Sequence, residues 1–208
     1  ACAPYRRLHL CSHNLETINN TTPTASDTLL AEVCYAAKYE GDLIKTHYLK
    51  HELTNEGTAS QLCTVLARSF ADIGDIIRGR DLFLGNTYES AQRDQLDKKL
   101  KEIFGKIHKE VTSGNKGKTN GQTLQKRYKK DDDPDYYQLR EDWWYANRAT
   151  VWKAMTCEAK TDDKYFRTTA CAGTRPTDGQ CRCNDDKKTG SNADPPTYFD
   201  YVPQFLRW

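Results

Sequence analysis

Asp135-Tyr-Tyr-Gln-Leu-Arg-Glu-Asp-Trp-Trp-Tyr-Ala-Asn-Arg-Ala-Thr-Val-Trp-Lys-Ala-Met155 is the stretch on which the fold turns. Tyr136, Leu139, Trp143, Ala146, Thr150 and Met155 recur at helical spacing, which predicts the inner face of a helix from Asp135 to about Cys157. Trp144, Val151 and Trp152 widen that face. Adjacent helical residues point about 100° apart, so Trp143 and Trp144 cannot share one narrow contact, and one of them needs a second packing element.

Three upstream segments supply candidates. A helix is expected from Asp27, its N-cap, to about residue 53, with Leu29, Leu30, Val33, Ala37, Ile44 and Tyr48 on one side and Gly41 marking a kink. A second is expected over 58–77, carrying Leu62, Leu66, Phe70, Ile73 and Ile77, with Gly79 as its stop. A third starts near Glu89 and carries Leu96, Leu100, Ile103, Phe104, Ile107 and Val111 before Gly114. Residues 1–26 and 158–200 lack periodicity. Residues 113–133 read as a flexible loop rich in Gly and Asn. Pro203 opens a last helix. No internal repeat and no strand pattern is present, so the fold class is all-α, a disulfide-stapled helical bundle with long irregular loops.

The 208 residues carry 31 basic and 29 acidic side chains, a net charge of +2. That balance is unlike the strongly basic surface of a general nucleic-acid binder, so no nucleic acid is expected as a partner. No run approaches the ~18 apolar residues of a membrane span. The eight cysteines, Cys2, Cys11, Cys34, Cys63, Cys157, Cys171, Cys181 and Cys183, form an even set in a polar chain, which points to disulfides in an oxidising compartment. Zinc is the weaker reading, because Cys181-Arg-Cys183 leaves only one intervening residue, the other cysteine spacings are 8 or more, and His47 and His51, four apart, have no cysteine pair nearby. Spacing alone assigns no pairing. Asn19 and Asn20 both satisfy the N-glycosylation pattern.

Catalytic signatures are missing: no nucleophile elbow, phosphate loop, dinucleotide fingerprint or metalloprotease helix. Asp72 and Asp75 lie three apart, suitable for acid-base work, but such residues more often pair with neighbouring bases, here Arg78 and Arg80. The chain is expected to be no enzyme and to need no cofactor or metal. The candidate ligand-binding residues are the basic cluster Lys116, Lys118, Lys126, Arg127, Lys129 and Lys130, which suits a sulfated glycan or an anionic cell surface. The blander reading is a solvated loop balanced by Asp131, Asp132 and Asp133. Lys98, Lys99, Lys101, Lys106 and Lys109 extend the cluster, diluted by Asp94, Asp97, Glu102 and Glu110.

Four segments together carry a family resemblance. Ala1-Cys-Ala-Pro-Tyr-Arg-Arg-Leu-His-Leu-Cys11, Ser69-Phe-Ala-Asp-Ile-Gly-Asp-Ile-Ile-Arg-Gly-Arg-Asp81, Arg140-Glu-Asp-Trp-Trp-Tyr-Ala-Asn-Arg-Ala-Thr-Val-Trp-Lys-Ala-Met155 and Tyr198-Phe-Asp-Tyr-Val-Pro-Gln-Phe-Leu-Arg-Trp208 resemble, in order, blocks of the Duffy-binding-like domains. The last is similar to the alpha class of the Plasmodium falciparum variant erythrocyte membrane protein family. The resemblance implies the Duffy-binding-like fold, with 1–26 as the irregular part of a first subdomain, 27–200 as a helical second and 201–208 as the start of a third. It implies an ectodomain of a membrane-anchored antigen on the outer face of the infected erythrocyte, acting in cytoadhesion, rosetting and antigenic variation. Implied partners are a host cell-surface receptor such as complement receptor, a heparan sulfate-like glycan or blood-group sugar, a serum protein, and antibodies. A structural spacer and immune decoy, with binding carried by neighbouring domains, is the alternative. The resemblance also implies a bridge from Cys63 to Cys171, with Cys34–Cys63 as its competitor.

Overall fold

A computed structural model describes residues 5–18, 24–54, 61–82, 85–113, 121–183 and 194–207. Lys116 and Lys118 of the basic cluster, together with Cys2, Asn19, Asn20 and Trp208, lie outside them. The described residues form α1 (Tyr5–Leu8), α2 (His13–Glu16), α3 (Ala25–Thr54), α4 (Leu62–Arg78), α5 (Thr87–Thr112), α6 (Gly121–Arg127), α7 (Tyr137–Met155) and α8 (Gln204–Arg207), with a 3-10 turn at Phe199–Tyr201. Extended pairing among them is limited to two isolated bridges, Cys171 with Arg175 and Gly179 with Arg182. The all-α reading holds.

The sequence places the helix ends by ordinary capping chemistry. Asn86 accepts from the Tyr88 and Glu89 amides while Glu89 reaches back to the Asn86 amide, a capping box at the head of α5. Gly79 ends α4 in the left-handed conformation, φ 69°, which costs glycine nothing. The start of α3 is capped from elsewhere, since Glu110 of α5 accepts from the Ala25 amide at 2.9 Å. Asp27 lies in the first turn and accepts from Thr24.

The long helices pack around α7. Trp143 points to α5 and α3, its ring edge-on to Phe104 and its Nε1 donating to Ser26 Oγ at 3.0 Å. Trp144 points to α4, 5.1 Å from the Phe70 ring and against Gly74. Trp152 also meets Phe70 and donates to the Cys181 carbonyl. Trp143 and Trp144 thus take different neighbours, as their angular spacing requires, while Trp144 and Trp152 share Phe70. A Cβ on Gly74 would sit 2.8 Å from the Trp144 ring, so this close approach needs glycine.

Several expectations are corrected. Gly41 does not interrupt α3, which continues through it; a Cβ there would meet the Met155 carbonyl at 2.1 Å, so its smallness serves helix–helix contact. Ala146 and Thr150 are exposed; the inner face of α7 is centred instead on Arg140, Trp144, Arg148 and Val151, all buried. Residues 121–127 are helical, as are 5–8 and 13–16. Cys63 bridges to Cys181, and Cys171 to Cys183, so both Cys63–Cys171 and Cys34–Cys63 are overturned. Ser69 bonds Glu40 and Gln61 bonds Tyr48, so α3 and α4 run antiparallel. That register leaves Cys34 about twelve residues, or ~18 Å of helix, from the level of Cys63. Cys11, Cys34 and Cys157 are free thiols.

Candidate functional site

The basic cluster is divided by its surroundings. Arg127, at the end of α6, donates Nε and Nη2 to the Asp142 carboxylate of α7 at 2.8 and 2.9 Å, and Tyr128 Oη donates to the same group at 2.8 Å. These hydrogen bonds hold Asp142 below the usual carboxylate range, Arg127 contributing most, and raise Arg127. Lys129 pairs with Asp132 at 3.6 Å. Lys126 and Lys130 are exposed at the same turn. Of the α5 lysines, Lys101 pairs with Asp135 at 2.5 Å. The sequence run of cations therefore becomes one arginine engaged by α7, two lysines paired with aspartates and a small exposed pair.

A second surface was not legible as such. Tyr35, Tyr39 and Leu43 are 56%, 60% and 42% exposed, and their four-residue spacing sets them in one row along α3. The buried row of the same helix carries Leu29, Val33, Ala36 and Ala37. The signal for the outer row was its own periodicity, masked by the stronger inner one. Lys38 and Asp42 beside it pair at 3.2 Å, so the ridge is aromatic and locally neutral.

The segment 194–207 is reversed relative to an ordinary surface strap, with charges inward and rings outward. Asp200 is buried and accepts from Arg148 at 2.7 and 2.8 Å and from Trp144 Nε1 at 2.9 Å. Arg207 bonds Asp72 and Asp75 of α4. Tyr198, Phe205 and Leu206 face out. Asp72 and Asp75 are thus ion-pair residues, as the commoner reading held, although Arg80 pairs with Glu141 instead. Burial lifts Asp75 to about 6 despite the adjacent Arg207 and Arg78.

Two of the free thiols are held in the neutral form by their surroundings. Burial, helped by Glu40, pushes the Cys11 thiol up to about 11, and burial raises Cys34, so neither is a thiolate at neutral pH. Among the described residues no group of three His, Cys, Asp or Glu side chains could hold a metal ion, and no helix is long and apolar enough to cross a membrane.

A family model described as the Duffy binding domain matches residues 1–207. The chain is 26% identical over 167 residues to the Duffy receptor of Plasmodium vivax (strain Salvador I) and to the Duffy receptor beta form of Plasmodium knowlesi. Those matches take in 76% of this chain but 12% and 11% of the relatives' length. Among solved structures, the NTS-DBL1-alpha and CIDR-gamma double domain of PfEMP1 from the Plasmodium falciparum varO strain is 41% identical, with a TM-score of 0.75 over 100% of this chain and 27% of that one. An ICAM-1-binding PfEMP1 DBLbeta domain is 34% identical, TM-score 0.65, covering 99% and 41%. A second DBLbeta domain, solved bound to human ICAM-1, is 28% identical, TM-score 0.57, covering 98% and 38%.

Proposed function

The chain belongs to the Duffy binding domain family, and from that premise we propose that it is an adhesion module of a larger surface antigen, binding a host-cell receptor or glycan outside the cell. Its place is the outer face of the infected erythrocyte, in cytoadhesion and rosetting, and its role is binding without catalysis. The observation that supports this most is likeness over nearly the whole chain to two DBLbeta domains described as binding ICAM-1. The chemistry of the surface agrees. An aromatic, neutral ridge at Tyr35, Tyr39 and Leu43 suits a protein receptor, because tyrosine offers large contact area at little entropic cost. Lys126 and Lys130 suit an anionic glycan.

Binding of this chain to red cells, ICAM-1, heparin and serum proteins tests the proposal. A protein receptor is expected to lose at least tenfold in affinity on Tyr35→Ala with Tyr39→Ala, each contact being worth ~1–2 kcal/mol. Heparin retention is expected to be salt-sensitive and to fall on Lys126→Ala with Lys130→Ala. Absence of binding to every one of these partners overturns the proposal and favours a spacer or immune decoy.

A further inference from the structure

We propose that the two ends of the described chain, α1 and the strap 194–207, are energetically coupled through carboxylates of α4 and its C-terminal turn that each end shares. Asp72, fully buried, gives one oxygen to each: Oδ2 accepts from Arg6 Nε at 2.8 Å and Oδ1 from Arg207 Nη2 at 3.2 Å. Nine residues on, Asp81 repeats the arrangement. Its Oδ2 accepts from Arg7 Nη2, and its Oδ1 accepts from Arg7 Nε at 3.3 Å and Gln204 Nε2 at 2.7 Å. Arg6 and Arg7 are neighbours in α1, and Gln204 and Arg207 lie three apart on one face of α8. Two rungs therefore connect segments separated by about 200 residues of chain.

The sign of the coupling follows from the geometry. A carboxylate fixed by one partner presents its other lone pairs already oriented, so the second partner forgoes the cost of ordering it. Repulsion between Arg6 and Arg207 opposes this at Asp72. At Asp81 the partner from the strap is the neutral amide of Gln204, so the two ends do not repel each other there, and Arg93 approaches the same carboxylate from α5 at 3.6 Å. The coupling is positive and strongest through Asp81, and by linkage it acts equally in both directions. Any event that loosens α1 loosens the strap, and the reverse.

A double-mutant cycle read by amide hydrogen exchange tests this. The strap is followed at the Tyr201, Val202 and Leu206 amides, which donate to Tyr198, Phe199 and Pro203 carbonyls. The other end is followed at the Cys11 and Ser12 amides, which donate to Glu40 and Leu10. Arg7→Gln is expected to speed exchange in the strap about three- to thirtyfold, and Gln204→Ala to speed it at Cys11 and Ser12. The double variant should show a factor smaller than the product of the two single factors. Met155→Ala, a core truncation away from both rungs, controls for general loss of stability. Should Arg7→Gln fail to fold, Arg7→Lys keeps the charge while losing the two-pronged bond and serves in its place. Factors that simply multiply, or strap amides no faster than in the Met155→Ala control, overturn the coupling.

Discussion

The two halves of α4 are held by different physics. Its first half, Leu62 to Phe70, buries mainly apolar side chains, with Ser69 bonded to Glu40 as its buried polar contact, and is tied by Cys63 to Cys181. Its second half buries Asp72, Asp75 and Arg78, and is held by Arg6, Arg207, Glu141 and the backbone carbonyl of Asp200. Trimming an apolar side chain costs its buried area and the cavity left behind, both of which scale with the atoms removed. A buried charge whose partner is removed keeps its full desolvation cost. The first half should therefore yield gradually to substitution and abruptly to reductant, and the second should do the opposite.

The largest expected effect sharpens the covalent side of that contrast. Cys63 and Cys181 close a loop of 118 residues, against 12 for Cys171 and Cys183. In the chain-entropy model the first is worth about 5 kcal/mol and the second about 3. Denaturant unfolding of Cys63→Ala with Cys181→Ala, compared with Cys171→Ala with Cys183→Ala, measures the difference. Equal losses would show that the long loop is already restrained when unfolded.

Close behind comes the ionic half's keystone. Asp200→Ala strands Arg148 and the Trp144 Nε1, both buried, and should cost about 3–5 kcal/mol. Asp200→Asn, which keeps an acceptor, should cost less. A loss under 1 kcal/mol for the alanine variant would break the comparison, because the strap would then be held by its apolar contacts.

How much of this could be read from residues alone divides along the same line. The periodic apolar stripes of α3, α4, α5 and α7 were legible, since each spans four or more turns. The splay of Trp143 and Trp144 followed from the 100° step. The α7 face was placed off-centre because buried Arg140 and Arg148 read as surface charges until Asp97 and Asp200 are known to meet them. Such pairs join residues 43 and 52 apart and leave no local pattern. The helices α1, α2 and α6 are too short to show a period. The candidate basic cluster was visible as composition, but Arg127's commitment to Asp142 depends on how α6 meets α7. Cysteine pairing was beyond reach because three of the four bridged cysteines, Cys171, Cys181 and Cys183, lie in a segment without periodicity whose path the sequence pattern does not give.

The ionic half should also respond to pH, in a direction that separates burial from pairing. Asp75 titrates near 6 in the fold, against about 3.8 when unfolded. Between these values the unfolded chain releases a proton that the folded chain keeps, so Asp75 makes stability fall as pH rises from about 4 to 6. The groups around it are Asp72 and Arg78 on α4 and Arg207 on α8. Asp75→Asn removes the titration, so its stability relative to the parent should rise across that window, by on the order of 2 kcal/mol, and be level above pH 7. A difference flat from pH 4 to 8 would mean that Arg207 and Arg78 keep Asp75 ionised throughout, and the ionic half would then rest on pairing alone.

The smallest effect tests whether exposure or chemistry sets the worth of these pairs. Arg127–Asp142 and Arg148–Asp200 are both two-pronged arginine–aspartate contacts involving α7. The side chains of the first pair are 53% and 30% exposed, those of the second 9% and 0%. Water already solvates Arg127 and Asp142 when they part, so little desolvation cost is left behind. Arg127→Ala should leave the thermal midpoint within about 2 °C of the parent, and the shift should shrink in 0.5 M salt, where exposed charges are screened. Because its guanidinium is engaged by Asp142, Arg127→Ala should also lower heparin retention less than Lys126→Ala with Lys130→Ala. A midpoint loss as large as that of Asp200→Ala would show that α6 is an essential brace of α7, and the division between apolar and ionic support would then extend to the surface of the molecule.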